Sequence, residues 1–237
     1  MIDSNYTGDN LLVIIGSPRS GTSYLQRLLS CHPKIRTGQE SDIFDEYIGP
    51  LLRSWKRHLR LKDNRGGTGL GGYLREEQFL EILKQFLFRL LEPVVGPLKD
   101  EEIFVEKTPS HALFIPEIIG LLAGVRFIHV VRDPRDVVAS MLAASNSWGK
   151  HWAPKNAREA ALMWGQHVKA VLSAKPSIPP DQFFEIKYES LVAQPLQVLQ
   201  NLKTFLHFYR VGGGIYSRSC GPERTFKGAP GFGFSNP

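Results

Sequence analysis

Residues 16–23, Gly-Ser-Pro-Arg-Ser-Gly-Thr-Ser, bring two glycines, a guanidinium and several hydroxyl side chains together directly after a short apolar run, 11–15. That combination suits an anion. A helix opening after such a turn offers unpaired backbone N–H groups and the positive end of its dipole, and glycine lets an anion approach the backbone closely. Gly16 and Gly21 have the spacing of the phosphate loop G-x-x-x-x-G, which ordinarily continues with Lys and then Ser or Thr. Here Thr22 and Ser23 follow Gly21 directly, and the cation lies inside the loop as Arg19. A guanidinium presents a planar fork of donors, better matched to phosphate or sulfonate than a single ammonium. Arg19, Ser20, Gly21, Thr22 and Ser23 are therefore candidate anion-binding residues; the alternative is an ordinary Gly/Pro turn between strand and helix.

The elements that must position these groups follow from periodicity. Strand 11–15 and the helix after it, with Tyr24, Leu25, Leu28 and Leu29 on one face before Cys31-His32-Pro33, make half a βαβ unit. A second strand, 103–105, runs into Glu106-Lys107-Thr108-Pro109. The third, 125–131, is almost continuous in apolar β-formers, as a strand covered on both faces must be, and Arg132-Asp-Pro-Arg-Asp136 then opens a helix through Met141. A fourth strand, 183–188, ends on Tyr188. Helices are expected over part of 44–61, over 76–91 with Pro93 as terminator, and over 111–122, 157–174 and 196–208, with 64–72 a Gly-rich loop. Strands alternating with helices predict an α/β fold of three layers, P-loop-like, with a central parallel sheet flanked by helices. In such sheets ligands bind beyond the carboxyl ends of the strands. Arg19, Lys107, Arg132 and Tyr188 all fall there, so the fold is expected to bring three cations and a phenol to one edge.

At 237 residues and 42% hydrophobic content the chain can bury one substantial core and reads as a single domain, 1–237, whose tail, 210–237, lacks periodicity and is expected to be irregular or truncated. A net charge of +6 favours anionic ligands in general. No block of like charges or finger spacing points to nucleic acid. Two cysteines, Cys31 and Cys220, without a C-x-x-C or Cys/His cluster, suggest a reducing compartment and no zinc site. No basic flank leads into an apolar signal region, and no run approaches the ~20 apolar residues of a membrane span, so a soluble, cytoplasmic protein is expected.

These residues resemble the sulfotransferase family that uses 3′-phosphoadenosine-5′-phosphosulfate (PAPS), and in motif form the branch that includes the tyrosylprotein sulfotransferases. The resemblance covers the chain up to about the last helix. Residues 16–23 are similar to the family's 5′-phosphosulfate loop, P-R-S-G-T-[TS]. Residues 131–140, Val-Arg-Asp-Pro-Arg-Asp-Val-Val-Ala-Ser, resemble its 3′-phosphate motif, which implies cofactor contacts from Arg132 and Ser140, and Tyr188-Glu-Ser-Leu resembles a strand-end Tyr near the nucleotide. Gly38-Gln39-Glu40-Ser41 aligns with a G-E-E-T segment, which implies that Glu40 is the catalytic base. Lys107 in Glu-Lys-Thr-Pro matches the second catalytic cation beside Arg19. Against these stand a solvated loop acid for Glu40, an ion pair with Glu106 for Lys107, and pairing with Asp133 or Asp136 for Arg132. His111 and His129 could be bases, as in the histidine-using cytosolic branch, but read as a helix-start residue and a core histidine. Trp148, Trp152 and Trp164 are core or pocket-lining residues.

Three departures qualify the likeness. Asp42 and Glu46 make the segment after Glu40 acidic, Ala144 supplies no cation four residues after Ser140, and the tail has Lys227-Gly228 but no G-x-W-[KR] ending. The implied activity is sulfuryl transfer from PAPS, without a metal, to a hydroxyl or amine on a small molecule, lipid, carbohydrate or protein. The competing readings are a P-loop small-molecule kinase, which would need a Lys after Gly21, and a nucleotide-binding but inactive module.

Overall fold

A computed structural model describes residues 8–65, 69–96 and 102–206, with the side chains of 60–65 and 94–95 outside the description. At its centre β1, Leu11–Gly16, is buried along its whole length. Successive strand residues point to opposite faces. Leu11, Val13 and Ile15 accordingly enter one core cluster, with Phe104 and Phe127, while Leu12 and Ile14 enter another, with Leu25, Val105, Ile128 and Val130. This is why the apolar runs are continuous instead of alternating. A fully buried side chain such as Phe127 is worth about 1.5–3 kcal/mol of burial.

Four further strands complete one parallel sheet: β2 (Ile35–Thr37), β3 (Ile103–Glu106), β4 (Arg126–Val131) and β5 (Phe183–Lys187), in the order β2-β3-β1-β4-β5. The register pairs Val13 with Glu106 and Gly16 with Val130, so β1 is flanked by β3 and β4. The helices are α1 (Thr22–Leu29), α2 (Gly49–Arg65), α3 (Glu76–Val95), α4 (Ile115–Leu121), α5 (Pro134–Ser145), α6 (Ala157–Ala174), α7 (Tyr188–Ala193) and α8 (Pro195–Phe205). Helices α1, α7 and α8 supply the core on one face of the sheet, while α2, α3, α4 and α6 supply the other. The expected three-layer, P-loop-like arrangement is what forms.

Several local expectations are corrected. β2 is a three-residue edge strand, too short to show a period. The stretch expected to be partly helical over 44–61 opens as a π-helical turn, Ile43–Ile48, and runs on as α2 to Arg65, so Asn64 and Arg65 leave the expected loop and Leu70–Gly72 makes a 3-10 turn. Helix α3 passes Pro93 by half a turn and ends at Val95. Residues 111–122 divide into a 3-10 turn, Pro109–Leu113, and α4, since Pro116 fits only a first helical turn. The expectation for the pair Cys31 and Cys220 includes a residue, Cys220, that falls outside the described residues. The expectation for 210–237 falls outside the described residues. No described helix is long and apolar enough to cross a membrane.

Candidate functional site

The four predicted residues lie just past the ends of adjacent strands: Arg19 after β1, Lys107 after β3, Arg132 after β4 and Tyr188 after β5. Between β1 and α1 the chain closes a turn in which the Ser20 amide donates to the Ser17 carbonyl at 3.1 Å. Arg19 (φ 71°) and Gly21 (φ 95°) both take left-handed backbone conformations. For Arg19 this costs about 1–2 kcal/mol. Three contacts offset it: Arg19 Nε donates to Ser140 Oγ (3.0 Å), its guanidinium lies 5.1 Å from the centre of the Trp148 ring, and Arg132 Nη1 donates to the Arg19 carbonyl (3.3 Å). Gly21 is required on a second ground, since a Cβ there would collide with the Tyr188 ring.

Arg132 connects the cradle to the next two strands. Its guanidinium lies 4.4 Å from the centre of the Tyr188 ring, Nη2 lies 3.6 Å from Asp136, and Trp164 Nε1 donates to its carbonyl at 3.2 Å. Of the competing partners, Asp133 is engaged elsewhere. It caps α5 by accepting from the Arg135 amide, and hydrogen bonds from the Arg135 side chain and amide hold its carboxyl down at about 2. Arg19, Ser140, Arg132 and Tyr188 thus form one connected group. Two donors, one in this group and one on the residue after Arg19, are left over: Arg132 Nε and Ser20 Oγ are buried and meet no hydrogen-bond partner among the described residues. Buried polar groups ordinarily find partners. Two such donors near a left-handed turn at the start of α1, whose Thr22 is buried while Ser23 faces solvent, fit a ligand that carries more than one anionic group.

Glu40 and Lys107 form a second group at the end of β3. They are in direct ion-pair contact, Lys107 with a side chain 6% exposed and Glu40 with one 46% exposed. Lys107 therefore pairs with Glu40, not with its neighbour Glu106. Glu106 is buried, and its Oε1 accepts from Thr108 Oγ1 (2.6 Å) and Ser41 Oγ (2.9 Å) while Oε2 lies 2.9 Å from His111 Nδ1. Burial pushes the Glu106 carboxyl up, but the His111 charge and these hydrogen bonds outweigh it and hold it below the ordinary carboxylate range. For His111 burial pushes down, and Glu106, Asp45 and Asp42 together raise it above the ordinary imidazole value.

His111 is therefore neither a base facing an acceptor nor a helix-start residue; it sits inside the 3-10 turn, 1% exposed. His129 is a core histidine in β4, with Nδ1 3.1 Å from Glu185 Oε2 and its basicity lowered chiefly by burial. The indoles divide. Trp164 packs against the small α5–α6 cluster, whereas Trp148 is 65% exposed beside Arg19, with its ring 5.5 Å from that of Trp152. Sequence reasoning missed Glu106. It stands at the strand end beside Lys107 like any charged residue there, and its convergent partners Ser41, Thr108 and His111 meet it only in space. Gln26 was missed as well: from α1 its amide donates to Thr37 Oγ1 (2.6 Å) and to the Gly38 carbonyl (2.9 Å), pinning the chain just before Glu40.

A family model described as "Sulfotransferase family" matches residues 12–208. A putative protein-tyrosine sulfotransferase of Caenorhabditis briggsae is 25% identical over 200 residues, covering 84% of this chain and 65% of its own length. Protein-tyrosine sulfotransferase 2 of Gallus gallus is 24% identical over 212 residues, with coverages of 87% and 55%. The chain thus spans less than two thirds of the length of these curated relatives. Among solved structures, the sulfotransferase domain of the Synechococcus PCC 7002 olefin synthase shares the fold with a TM-score of 0.59 at 20% identity, covering 87% of this chain and 76% of that one. A mouse sulfotransferase complexed with PAP does so with a TM-score of 0.51 at 15% identity, with coverages of 86% and 61%.

Proposed function

The chain belongs to the sulfotransferase family, and from that premise we propose that it transfers the sulfuryl group of PAPS to an acceptor hydroxyl or amine. The observation that carries this reading is the pair of buried donors that meet no partner among the described residues, Ser20 Oγ and Arg132 Nε, the second on the side chain that also donates to the Arg19 carbonyl. Bound PAPS would supply a sulfur whose bridging S–O bond to the 5′-phosphate breaks, with 3′-phosphoadenosine-5′-phosphate leaving, as the acceptor oxygen or nitrogen bonds to it.

The chain's own residues do the remaining work. Ser20, Thr22 and the first amides of α1 hold the 5′-phosphosulfate, with Gly21 and Ser23 shaping the loop. Arg132 and Ser140 hold the 3′-phosphate, and Tyr188 walls the nucleotide by stacking on Arg132. Arg19 and Lys107 offset charge on the peripheral and leaving oxygens, the main lever in displacements of this kind. Glu40, half open to solvent beside Lys107, takes the acceptor's proton.

The relatives' names speak of protein tyrosine, and a protein hydroxyl is one acceptor supported by that likeness. Asp42, Asp45 and Glu46 crowd the segment after Glu40 with negative charge, and burial together with Asp45 and Glu40 raises the Asp42 carboxyl. Like charge disfavours an acidic peptide, so a neutral or basic acceptor fits better.

Calorimetric titration with 3′-phosphoadenosine-5′-phosphate, beside ADP and ATP with Mg²⁺, tests the reading. The 3′-phosphate compound should bind best, and Arg132→Ala should weaken it about 10- to 100-fold, the worth of a hydrogen bond to a charged group. Equal affinity for ADP would favour the kinase reading instead.

A further inference from the structure

The segment carrying Glu40 is fastened at both ends. On one side Gln26 holds Thr37 and Gly38, and Thr37 Oγ1 donates to the Val105 carbonyl at 2.9 Å. On the other, Ser41 docks on the end of β3: its Oγ donates to Glu106 Oε1 (2.9 Å), and its amide donates to Thr108 Oγ1 (3.1 Å) and lies 3.4 Å from Glu106 Oε1. Ser41 Oγ in turn accepts from the Ile43 amide at 3.4 Å. Two consecutive residues of the segment thus meet two consecutive residues of the strand end, Glu40 with Lys107 and Ser41 with Glu106. Side chains at the end of a strand alternate between faces. Glu106 therefore turns inward as an anchor while the next residue, Lys107, turns toward Glu40.

A buried carboxylate is costly unless several donors converge on it. Glu106 has that convergence in Ser41, Thr108 and His111. His111 Nε2 lies 3.5 Å from Asp45 and 3.4 Å from the Phe44 amide nitrogen, so the charged ring has an acceptor and the neutral ring a donor. Neither sulfuryl transfer nor cofactor binding uses this network.

We propose that Ser41 is a positioning residue, which the buried Glu106–Thr108–His111 network holds at the end of β3 so that Glu40 is set against Lys107. The inference rests on the reading of Glu40 as the base. Its test uses the full chain, with Ser41→Ala and Thr108→Val removing the hydroxyls and Ser41→Thr restoring one. Amide hydrogen exchange over residues 39–44 is measured together with turnover of PAPS, using the fastest acceptor among 4-nitrophenol, a tyrosyl peptide and glucosamine.

Exchange should quicken in Ser41→Ala and Thr108→Val, and kcat should fall about 10- to 100-fold, as small misplacements of reacting groups do. Affinity for 3′-phosphoadenosine-5′-phosphate should stay within about twofold, and Ser41→Thr should recover both losses, a pattern that general unfolding would not give. Wild-type exchange in both variants overturns the clamp. So does a parallel loss of nucleotide affinity, or a kcat that stays at the wild-type level while exchange quickens. A wild-type protein that transfers nothing from PAPS overturns the assignment of Glu40, and the exchange comparison alone then decides whether Ser41 is clamped.

Discussion

Single side chains at this site are fixed by partners far away in sequence. Arg19 occupies a left-handed conformation that its own residue type disfavours, and Ser140, Trp148 and Arg132, each more than a hundred residues on, hold it there. Strain of this kind collects where a site must be preorganised. Glu40 differs in having one buried partner, Lys107, and one side open to solvent. If Glu40 takes the acceptor's proton, Glu40→Gln should lower kcat about 100-fold or more while leaving nucleotide affinity nearly unchanged. Steady-state turnover beside a calorimetric titration checks this, and an unchanged kcat would remove Glu40 from the mechanism. The alignment of Gly38-Gln39-Glu40-Ser41 pointed to this residue. It could not point to Glu106, whose role exists only because Ser41, Thr108 and His111 converge on it in space.

At the scale of elements, the junction between the end of β3 and the π-helical turn at Ile43–Ile48 is held by a buried charged pair, and this should make stability depend on pH. His111 is raised above its ordinary 6.5, so its contribution is fully present below that value and is lost as pH rises through the raised one. Glu106 is lowered below its ordinary 4.5, so its contribution is present above that value and is lost as pH falls through the lowered one. Asp45 and Asp42 also face His111 and raise it further. Urea unfolding of the native chain against the double variant Glu106→Gln, His111→Asn should therefore differ most between 4.5 and 6.5. The difference should shrink on both the alkaline and the acid side, and a pH-independent difference would mean that the pair is not ionised. Element boundaries were less legible than this chemistry. The division of 111–122 depends on Pro116 and on the packing of Phe114. The edge strand β2 has only three residues and gains its form from pairing with β3.

On the scale of the whole molecule, a net charge of +6 and three cations at one edge of the sheet make a general field that attracts polyanions. Affinity for 3′-phosphoadenosine-5′-phosphate should accordingly fall as salt rises and the screening length contracts from about 10 Å at 0.1 M to about 3 Å at 1 M. Titration across that range checks this; affinity indifferent to salt would assign the binding to short hydrogen bonds alone. The amino-acid sequence by itself determined the α/β class, because continuous apolar strands alternating with amphipathic helices have few other ways to bury their surface. It also determined which groups stand at the strand ends, since Arg19, Lys107, Arg132 and Tyr188 each follow a strand by local pattern alone. Only the tertiary structure decided which of them meet. The order β2-β3-β1-β4-β5 sets the end of β1 beside that of β4, so that Arg19 is gripped by Arg132, and it carries the segment after β2 over the end of β3, so that Glu40 finds Lys107 and Ser41 finds Glu106. Strand order is settled by packing the two faces of the sheet at once, and that information belongs to no single stretch of the chain.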